Sequence, residues 1–402
     1  MKNLNCVLTA VTLATASLTS GAAFGQDTKT LILGVSAPMS GAAATWGLGQ
    51  EWTAKQAAKE INDAGGVKIG GTTYKFEVRA YDNKYNAAEG TKVAQNIVNR
   101  DKSRYVVGSI GTAPILALQS LTERNQVILF TSAWGKTVKG PTKPYTLTQS
   151  TTPFEILEPL YAYVKAKHGS IKTVAMLNPN DATGKETEPV AQKAWEKLGV
   201  KVVSVNWYER GTTQFQPIAQ KLAAVKPDVI DLGVAPPADA GVLFRELAVL
   251  GWDGVKVQPV GTGAAQLVDI GGQAANGVYM GFSGDYAGQQ ATSKQRELNE
   301  GMKKAVGESL NPLQLAPYDS VYALKAGMEA AQSIEPAEIL KVMPKIVFDT
   351  SYGKTAFGGE ATYGSPQQML IPVMITQIQD GKLVEVERVV PEELQKRLAQ
   401  GK

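Results

Sequence analysis

The stretch YVVGSIGTAP at 105–114 joins a strand-forming run to a loop of small residues. Tyr-Val-Val at 105–107 favours a buried strand, because aromatic and β-branched side chains suit a pleated sheet. Gly-Ser-Ile-Gly-Thr-Ala at 108–113 then leaves the backbone amides accessible. We therefore predict a strand that ends where a ligand approaches the backbone closely.

The same alternation of apolar runs and amphipathic segments continues along the chain. Runs with apolar residues on both faces, separated by helical patterns, are typical of parallel sheets covered on both sides. We predict strands at 31–35, 76–81, 105–108, 127–131, 173–177, 201–207, 229–233, 255–260 and 277–281. We predict helices at 51–63, 87–99, 186–197, 295–305 and 318–332, the last opening after Pro317.

This series of strands and helices is long enough for two lobes. The later helical and β-rich material has to complete both, so we expect the chain to cross between the lobes more than once. We assign 26–147 and about 283–347 to the first lobe, and 148–282 and about 348–402 to the second.

The first 25 residues predict a cleaved signal peptide. Lys2 precedes an apolar run that ends in Ala-Phe-Gly at 23–25, a small-x-small cleavage site. The alternative, a membrane-spanning or buried helix, is disfavoured because the run is too short for a bilayer. Cys6 is the single cysteine and lies inside this segment, so the mature chain is expected in the periplasm without disulfides.

Charge and hydropathy disfavour nucleic-acid and membrane partners. The formal net charge is +4, and the basic residues are scattered rather than clustered. No later apolar run reaches membrane length. We therefore expect no nucleic-acid partner and no membrane span in the mature chain.

Signatures of catalysis are missing from the sequence. The single histidine, His168, follows a helical segment and is more typical of a helix C-terminus than of a general base. Two GKT triplets, at 135–137 and 353–355, lack the earlier glycine of a phosphate loop. We expect no enzyme activity, no cofactor and no metal; an exported enzyme, the weakest alternative, would need a base and a nucleophile in one cleft.

Small and hydroxyl residues follow five of the predicted strands. In open α/β sheets, ligands bind in the crevice outside the carboxyl ends of the strands, and amides at helix N-termini suit an anionic group. One such loop is an ordinary turn, but five at equivalent positions favour a binding site. The loops are APMSGAAATWG at 37–47, GSIGTAP at 108–114, TSAWGKT at 131–137, NPNDATG at 178–184 and PVGTGAAQ at 259–266.

Several segments, in order over nearly the whole mature chain, resemble the leucine/isoleucine/valine-binding protein family of type I periplasmic solute receptors. The resemblance implies a two-lobed α/β fold of the Venus-flytrap type, each lobe a mainly parallel sheet with helices on both faces. The matching segments are LGVSAPMSGAAATWG, KEINDAGGV, YDNKYNAAEGTKVAQNIV, YVVGSIGTAP, VILFTSA, TTQFQPIAQKL, GWDGVKVQPVG and APYDSVYAL.

The resemblance also implies a ligand site. In the first lobe, Thr112 takes the place of a carboxylate-binding serine, and Ala113 offers its amide. Backbone groups come from the loop at 133–135. The full set implied for the ligand is Trp46, Thr112, Ala113, Ala133, Trp134 and Gly135 from the first lobe, with Asp181, Thr183, Gly261 and Thr262 from the second.

Three positions depart from the family pattern. Gly135 replaces a threonine, and Trp134 stands where a small residue is usual. The loop at 259–266 has no carboxylate to hold an α-ammonium group. A buried ammonium without a partner costs several kcal/mol, and Asp181 is the nearest alternative acid. An aliphatic or aromatic organic acid, or an amide, therefore suits the site at least as well as an amino acid.

These features predict the periplasmic solute-binding component of an ABC transport system of the branched-chain amino-acid type. The expected partners are a small polar or carboxylate-bearing solute, captured by hinge closure, and inner-membrane permease subunits; we expect a monomer. The alternative is a ligand-sensing receptor module of the same fold, which would carry a membrane helix or an output domain.

Overall fold

The structure is a computed structural model that describes residues 27–400, so the expected signal peptide lies outside the described residues. The strands are β1 Thr28–Ala37, β2 Val67–Ile69, β3 Thr72–Asp82, β4 Tyr105–Ser109, β5 Ile128–Thr131, β6 Thr146–Thr148, β7 Thr173–Pro179, β8 Lys201–Tyr208, β9 Val229–Asp231, β10 Val255–Gln258, β11 Tyr279–Met280, β12 Phe348–Thr350, β13 Gly353–Thr355, β14 Phe357–Gly358, β15 Gln368–Met369, β16 Val373–Gln379 and β17 Lys382–Val389. The α-helices are α1 Ala44–Asp63, α2 Ala87–Ala94, α3 Thr112–Thr122, α4 Pro153–Lys167, α5 Ala182–Lys197, α6 Gln216–Ala224, α7 Pro237–Val249, α8 Ala264–Gly271, α9 Ser293–Val306, α10 Pro312–Ala331, α11 Pro336–Val342, α12 Glu360–Tyr363 and α13 Glu392–Ala399.

Two mainly parallel sheets organise the described chain, which confirms the predicted fold class. The first sheet has the order β14-β15-β6-β5-β4-β1-β3-β2, and the second has the order β17-β16-β11-β10-β9-β7-β8. The strands β12 and β13 form a separate hairpin. Parallel pairing places the carboxyl ends of neighbouring strands at one edge of each sheet, so the loops that follow β1, β4 and β5 lie together.

The lobes differ from the expected division in the C-terminal part of the chain. Strand β15 pairs with β6 of the first sheet through Gln368 and Thr148, and β14 pairs with β15. Leu394 of α13 belongs to a small apolar cluster with Ala356 and Leu370. Of the described part of this segment, β16 and β17 join the second sheet, so residues 348–400 are divided between the lobes instead of lying wholly in the second.

Helix α10 begins earlier than the sequence predicts. Asn311 caps it, with its side chain accepting from the Gln314 amide, so Pro317 lies inside the helix instead of before it. Proline in a helix frees the carbonyl four residues earlier. Here that carbonyl, of Leu313, accepts 2.8 Å from the amide side chain of Gln50 in α1. The Gln50 side chain of α1 thus replaces the hydrogen bond that Pro317 removes from α10.

Helix α10 also explains why the loop at 108–113 has a small residue at its first position. A Cβ on Gly108 would lie 3.0 Å from the Pro317 ring and 3.1 Å from Gln50 Oε1. Gly111 has φ +95°, a left-handed conformation that disfavours other residues. The expectation that a ligand requires these glycines is therefore wrong for Gly108, where a neighbouring helix approaches instead.

A buried carboxylate on α10 gives a testable pH dependence. Asp319 accepts from the Ser351 amide at 2.6 Å and from the Ser351 hydroxyl at 2.8 Å, and burial raises its pKa to about 7. Since unfolded aspartate has a pKa of about 3.9, this group stabilises the fold fully below that value, and the contribution is lost as pH rises through about 7.

We therefore expect Asp319→Asn, which keeps an acceptor for the Ser351 amide, to flatten the pH profile of stability. The free energy of unfolding of the variant should rise relative to the parent by a few kcal/mol between about pH 4 and pH 8, at about 1.4 kcal/mol per unit of pKa difference. Urea unfolding at several pH values measures this. A difference between the two proteins that does not change with pH would contradict it.

Candidate functional site

Three of the predicted site residues meet where the two lobes face each other. The Thr112 hydroxyl, in the first turn of α3, lies 3.0 Å from the Thr183 hydroxyl at the start of α5. The Gly135 amide donates to Thr112 Oγ1 at 3.1 Å. All three groups are buried, so Thr112 links two loops of the first lobe to the second lobe.

A second contact between the lobes lies beside the first. The carboxylate of Glu186 in α5 accepts from the Thr137 amide at 3.0 Å and from the Thr137 hydroxyl at 2.6 Å. The loop that follows β5 is thereby joined to the second lobe by two hydrogen bonds from Thr137. The cleft is therefore closed in this structure, with the two lobes in contact.

A small cavity of about 10 Å³ lies next to these contacts. Its wall is mostly aromatic and aliphatic, and it contains no acidic or basic side chain. The lining residues are Trp46, Tyr85, Ile110, Gly111, Ser132, Trp134 and Leu313. With the lobes in contact, this space has room for about one water molecule. Once the lobes part, a wall of this kind suits a small solute with an apolar body.

Two tryptophans predicted for the site line this cavity. Trp46 lies edge-on to Tyr85 with ring centroids 6.4 Å apart, and Trp134 lies edge-on to Phe282 at 5.4 Å. The Trp134 indole N–H is buried and has no hydrogen-bond partner among the residues described. Because this group only donates, it matches an acceptor on a ligand.

Trp46 differs from the expectation in its local structure. The sequence suggests a loop residue with little core to join, whereas α1 begins at Ala44 and includes Trp46 in its first turn. The side chain is 8% exposed and belongs to the main hydrophobic core. Trp46 therefore both packs in the core and forms part of the cavity wall.

The backbone groups expected to bind a ligand have different surroundings. The Ala133 amide donates to Thr131 Oγ1 at 2.9 Å, and the Gly135 amide is used by Thr112. Ala113 is the second residue of α3, where backbone N–H groups have no acceptor within the helix. Of these amides, that of Ala113 is the best placed to meet an anionic group.

Asp181 is engaged within the protein. It caps α5 by accepting from the Gly184 amide at 2.9 Å, and its other oxygen accepts from the Arg210 side chain. A carboxylate that already serves a helix cap and a guanidinium has little capacity left for an ammonium ion. The structure thus gives no support to Asp181 as a ligand acid.

The remaining two predicted residues lie outside the cavity wall. The Gly261 carbonyl accepts from the Ser283 hydroxyl at 2.8 Å, and a Cβ on Gly261 would press on the methionine side chain of Met280. Thr262 is buried, and its hydroxyl has no partner within the described part of the chain. Within residues 27–400, no hydrogen bond joins Gly261 or Thr262 to Thr112 or Thr183.

Two residues of the cleft were missed from the sequence. Tyr85, in the loop after β3, lines the cavity, and burial raises the pKa of its hydroxyl. Arg210, in the loop after β8, lies over the Tyr85 ring with 5.1 Å between the guanidinium carbon and the ring centroid. Both loops follow carboxyl ends of strands, as the five selected loops do. The sequence criterion considered only small and hydroxyl residues at these positions, and including large side chains would have selected these two loops as well.

Residues 27–400 contain neither a metal-binding cluster nor a membrane-spanning helix. In this part of the chain, no cluster of three or more histidine, cysteine, aspartate or glutamate residues is arranged to hold a metal ion. None of its helices combines the length and the apolar character needed to cross a bilayer.

Gly135→Ala tests whether the cleft geometry matters for binding. The backbone at Gly135 has φ −64°, which alanine adopts without strain. The new Cβ would lie 2.5 Å from Thr112 Cγ2 and 3.0 Å from the Glu186 carboxylate. We expect solute affinity to fall about 10-fold or more, as a displaced hydrogen-bonding group in a site typically costs about 1.5–3 kcal/mol.

The matched control for Gly135→Ala is the stability of the unliganded protein. Because Thr112 and Glu186 can move when the lobes are apart, the unfolding midpoint should shift by no more than a few degrees. Isothermal titration calorimetry measures the affinity of both proteins. Unchanged affinity would show that this contact is not part of the binding-competent form.

Comparison with known proteins places the chain among binding proteins. Residues 30–382 match the family described as periplasmic binding protein. The leucine-, isoleucine-, valine-, threonine-, and alanine-binding protein of Pseudomonas aeruginosa is 23% identical over 338 residues, covering 84% of this chain and 88% of that protein.

Solved structures show the same fold. The branched-chain amino-acid binding protein LivJ of Streptococcus pneumoniae, in complex with isoleucine, has a TM-score of 0.75 at 22% identity and covers 90% of this chain and 100% of its own. A solute-binding protein of an ABC transporter from R. palustris, in complex with benzoate, has a TM-score of 0.74 at 16% identity, covering 90% of this chain and 97% of its own. The two-sheet architecture, the cleft between the lobes and the match over most of the sequence agree, and the chain belongs to the periplasmic binding protein family.

Proposed function

We propose that this protein is the solute-binding component of an ABC import system and that its solute is a small carboxylate without an α-ammonium group. The observation that carries the proposal is the small cavity on the cleft side of the first lobe, whose wall is apolar and aromatic and contains no acid.

The first lobe supplies the contacts for the carboxylate. The Thr112 hydroxyl and the Ala113 amide stand at the N-terminus of α3, where the helix dipole favours negative charge. In the closed cleft Thr112 already bonds to Thr183. An entering carboxylate would take over this position and draw on donors from both lobes.

Both carboxylates of the described cleft are already hydrogen-bonded within the protein. Asp181 is held by Arg210 and the Gly184 amide, and Glu186 is held by Thr137. Burying an unpaired ammonium costs several kcal/mol. The same apolar wall accommodates the ring or alkyl chain of an organic acid without that cost.

The proteins similar in structure bind solutes of both kinds. One is in complex with isoleucine, another with benzoate, and a third with 3,4-dihydroxybenzoic acid. A carboxylate is common to these ligands, whereas an ammonium is present in the first alone. We place the present protein with the binders of acids because of its unpartnered donors and its lack of a free acid.

Closure of the lobes also provides a way to deliver the solute to a permease. Closure around the solute presents surfaces of both lobes together, and an inner-membrane permease can distinguish this form from the open one. We propose that the mature protein is a periplasmic monomer that is released by cleavage after residue 25. Mass spectrometry of the exported protein and size-exclusion chromatography with light scattering test these two points.

The ligand class is tested by a thermal-shift screen of the purified mature protein. The panel contains branched-chain amino acids, aliphatic acids, aromatic acids and their primary amides. A ligand that binds the native state raises the midpoint by mass action. We expect shifts with carboxylates that lack an ammonium; shifts with amino acids alone would overturn the proposed solute class, and no shift with any compound would overturn the proposed function.

A further inference from the structure

The guanidinium of Arg210 is held by contacts from both lobes. Its Nε donates to the Asp181 carboxylate of the second lobe. Its Cζ atom lies over the ring of Tyr85 in the first lobe, 5.1 Å from the centroid. Interaction with Tyr85 and Asp181 outweighs the effect of burial and raises the Arg210 pKa, so the group is charged when the lobes are in contact.

One donor of this guanidinium is buried without a partner. Arg210 Nη2 is inaccessible to solvent and makes no hydrogen bond within residues 27–400. The other buried side-chain N and O atoms that lack a hydrogen-bond partner in this range belong to hydroxyl, amide and indole groups. Among them, Nη2 alone belongs to a charged side chain. Arg210 as a whole is only partly buried. An unpaired N–H shielded from solvent is nevertheless costly, and an acceptor that is not part of the chain would remove that cost.

Arg210 and the cavity share one neighbour, Tyr85. This residue lines the cavity, and its ring also contacts the Arg210 guanidinium. Tyr85 and the preceding Lys84 both have left-handed backbone conformations, with φ +56° and +47°. Such conformations are unfavourable for residues other than glycine, so the surrounding structure fixes this loop at the cleft. Movement of the Tyr85 side chain would open Arg210 to a solute in the cavity.

We propose that Arg210 determines the charge specificity of the site. When a solute enters, Nη2 donates to one of its anionic oxygens, while Asp181 keeps the guanidinium oriented through Nε. A guanidinium forms strong charge-assisted bonds with carboxylates and repels an ammonium ion. The residue therefore selects a carboxylate over a neutral amide of the same shape and over a zwitterion.

This inference rests on the proposed function and is tested by the affinity ratio between acids and their amides. The parent protein and Arg210→Gln are titrated by calorimetry with benzoate and benzamide, and with 4-methylpentanoate and its amide. In the parent, the acid should bind more tightly than the amide. In Arg210→Gln, acid affinity should fall about 10- to 100-fold, as expected for the loss of a charged hydrogen bond, while amide affinity changes little.

A matched control is Lys185→Gln. The Lys185 ammonium lies 3.7 Å from the Trp207 ring centroid, so this variant also removes a cation over an aromatic ring in the second lobe, but away from Tyr85. Its acid-to-amide ratio should equal that of the parent. Arg210→Lys keeps the charge but loses the planar fork, so it should bind the acid more tightly than Arg210→Gln and less tightly than the parent. This intermediate affinity would show that the loss in Arg210→Gln does not come from a folding defect.

The outcomes separate this inference from the proposed function. Equal losses of acid and amide affinity in Arg210→Gln would make Arg210 a latch between the lobes and overturn its role in charge selection. Tight leucine binding by the parent, unaffected by Arg210→Gln, would also overturn that role, although the protein would remain a solute-binding protein. A parent protein that binds none of these compounds would overturn both proposals.

Discussion

Thr112→Val should weaken the binding of a carboxylate solute by about 10- to 100-fold, the usual effect of removing a hydrogen bond to a charged group. The Thr112 hydroxyl is the point at which the Gly135 amide and the Thr183 hydroxyl meet. Valine keeps the volume and the β-branching but can neither donate nor accept. Isothermal titration calorimetry with the acids found in the thermal-shift screen measures the change.

The control for this prediction lies in the same helix. Thr122 is also fully buried, but its hydroxyl has no hydrogen-bond partner in the part of the chain that the structure describes. Thr122→Val therefore makes the same chemical change without removing a contact, and affinity should stay within about twofold of the parent. Equal effects of the two variants would contradict a binding role for Thr112.

Trp195→Ala should lower the free energy of unfolding by about 4 kcal/mol, in the range observed for large-to-small changes in a core. Trp195 is fully buried and stacks on Tyr161 with ring centroids 4.0 Å apart. Its indole N–H also donates at 2.8 Å to the buried carboxylate of Asp231. Alanine would leave a cavity and remove one of the donors to that carboxylate. Chemical denaturation followed by circular dichroism measures the loss.

Trp195→Phe separates the two contributions. Phenylalanine retains a stacked ring but lacks the donor, so its effect should be about 1–3 kcal/mol, the cost of leaving a buried acceptor less well satisfied. Asp231 would still accept from the Tyr161 hydroxyl at 2.5 Å and from the Gly233 amide at 2.8 Å. A loss equal to that of Trp195→Ala would mean that the carboxylate contact, and not packing, dominates.

The architecture could be read from the sequence because its signals are local. Strands β1, β3, β4 and β7 contain the predicted runs at 31–35, 76–81, 105–108 and 173–177. The signals fail where structure depends on distant partners. Strands β14 and β15 have two residues each, and their sheet is decided by pairing with a strand more than 200 residues earlier. The entry of Pro317 into α10 likewise depends on Gln50 of α1.

The site could be predicted only in part, for the same reason. Loop composition at strand ends selected the loops, and within them the family resemblance implied Thr112, Gly135 and Thr183, which the structure brings together. It did not lead to the contact between Tyr85 and Arg210, because 125 residues separate them in the chain. Small residues signal close approach, whereas an arginine in a loop looks like an ordinary solvated charge until its neighbours are known.

The central claim, that the cleft receives an acid without an ammonium group, is tested most directly by titrating two matched pairs of compounds. 4-Methylpentanoate differs from leucine, and 3-phenylpropanoate from phenylalanine, by the ammonium group alone. We predict that calorimetry shows the acid of at least one pair binding at least about 10-fold more tightly than its amino acid, since an unpaired buried ammonium costs several kcal/mol. Tighter binding of the amino acid in either pair would contradict the account and show that an acidic group in the cleft receives the ammonium.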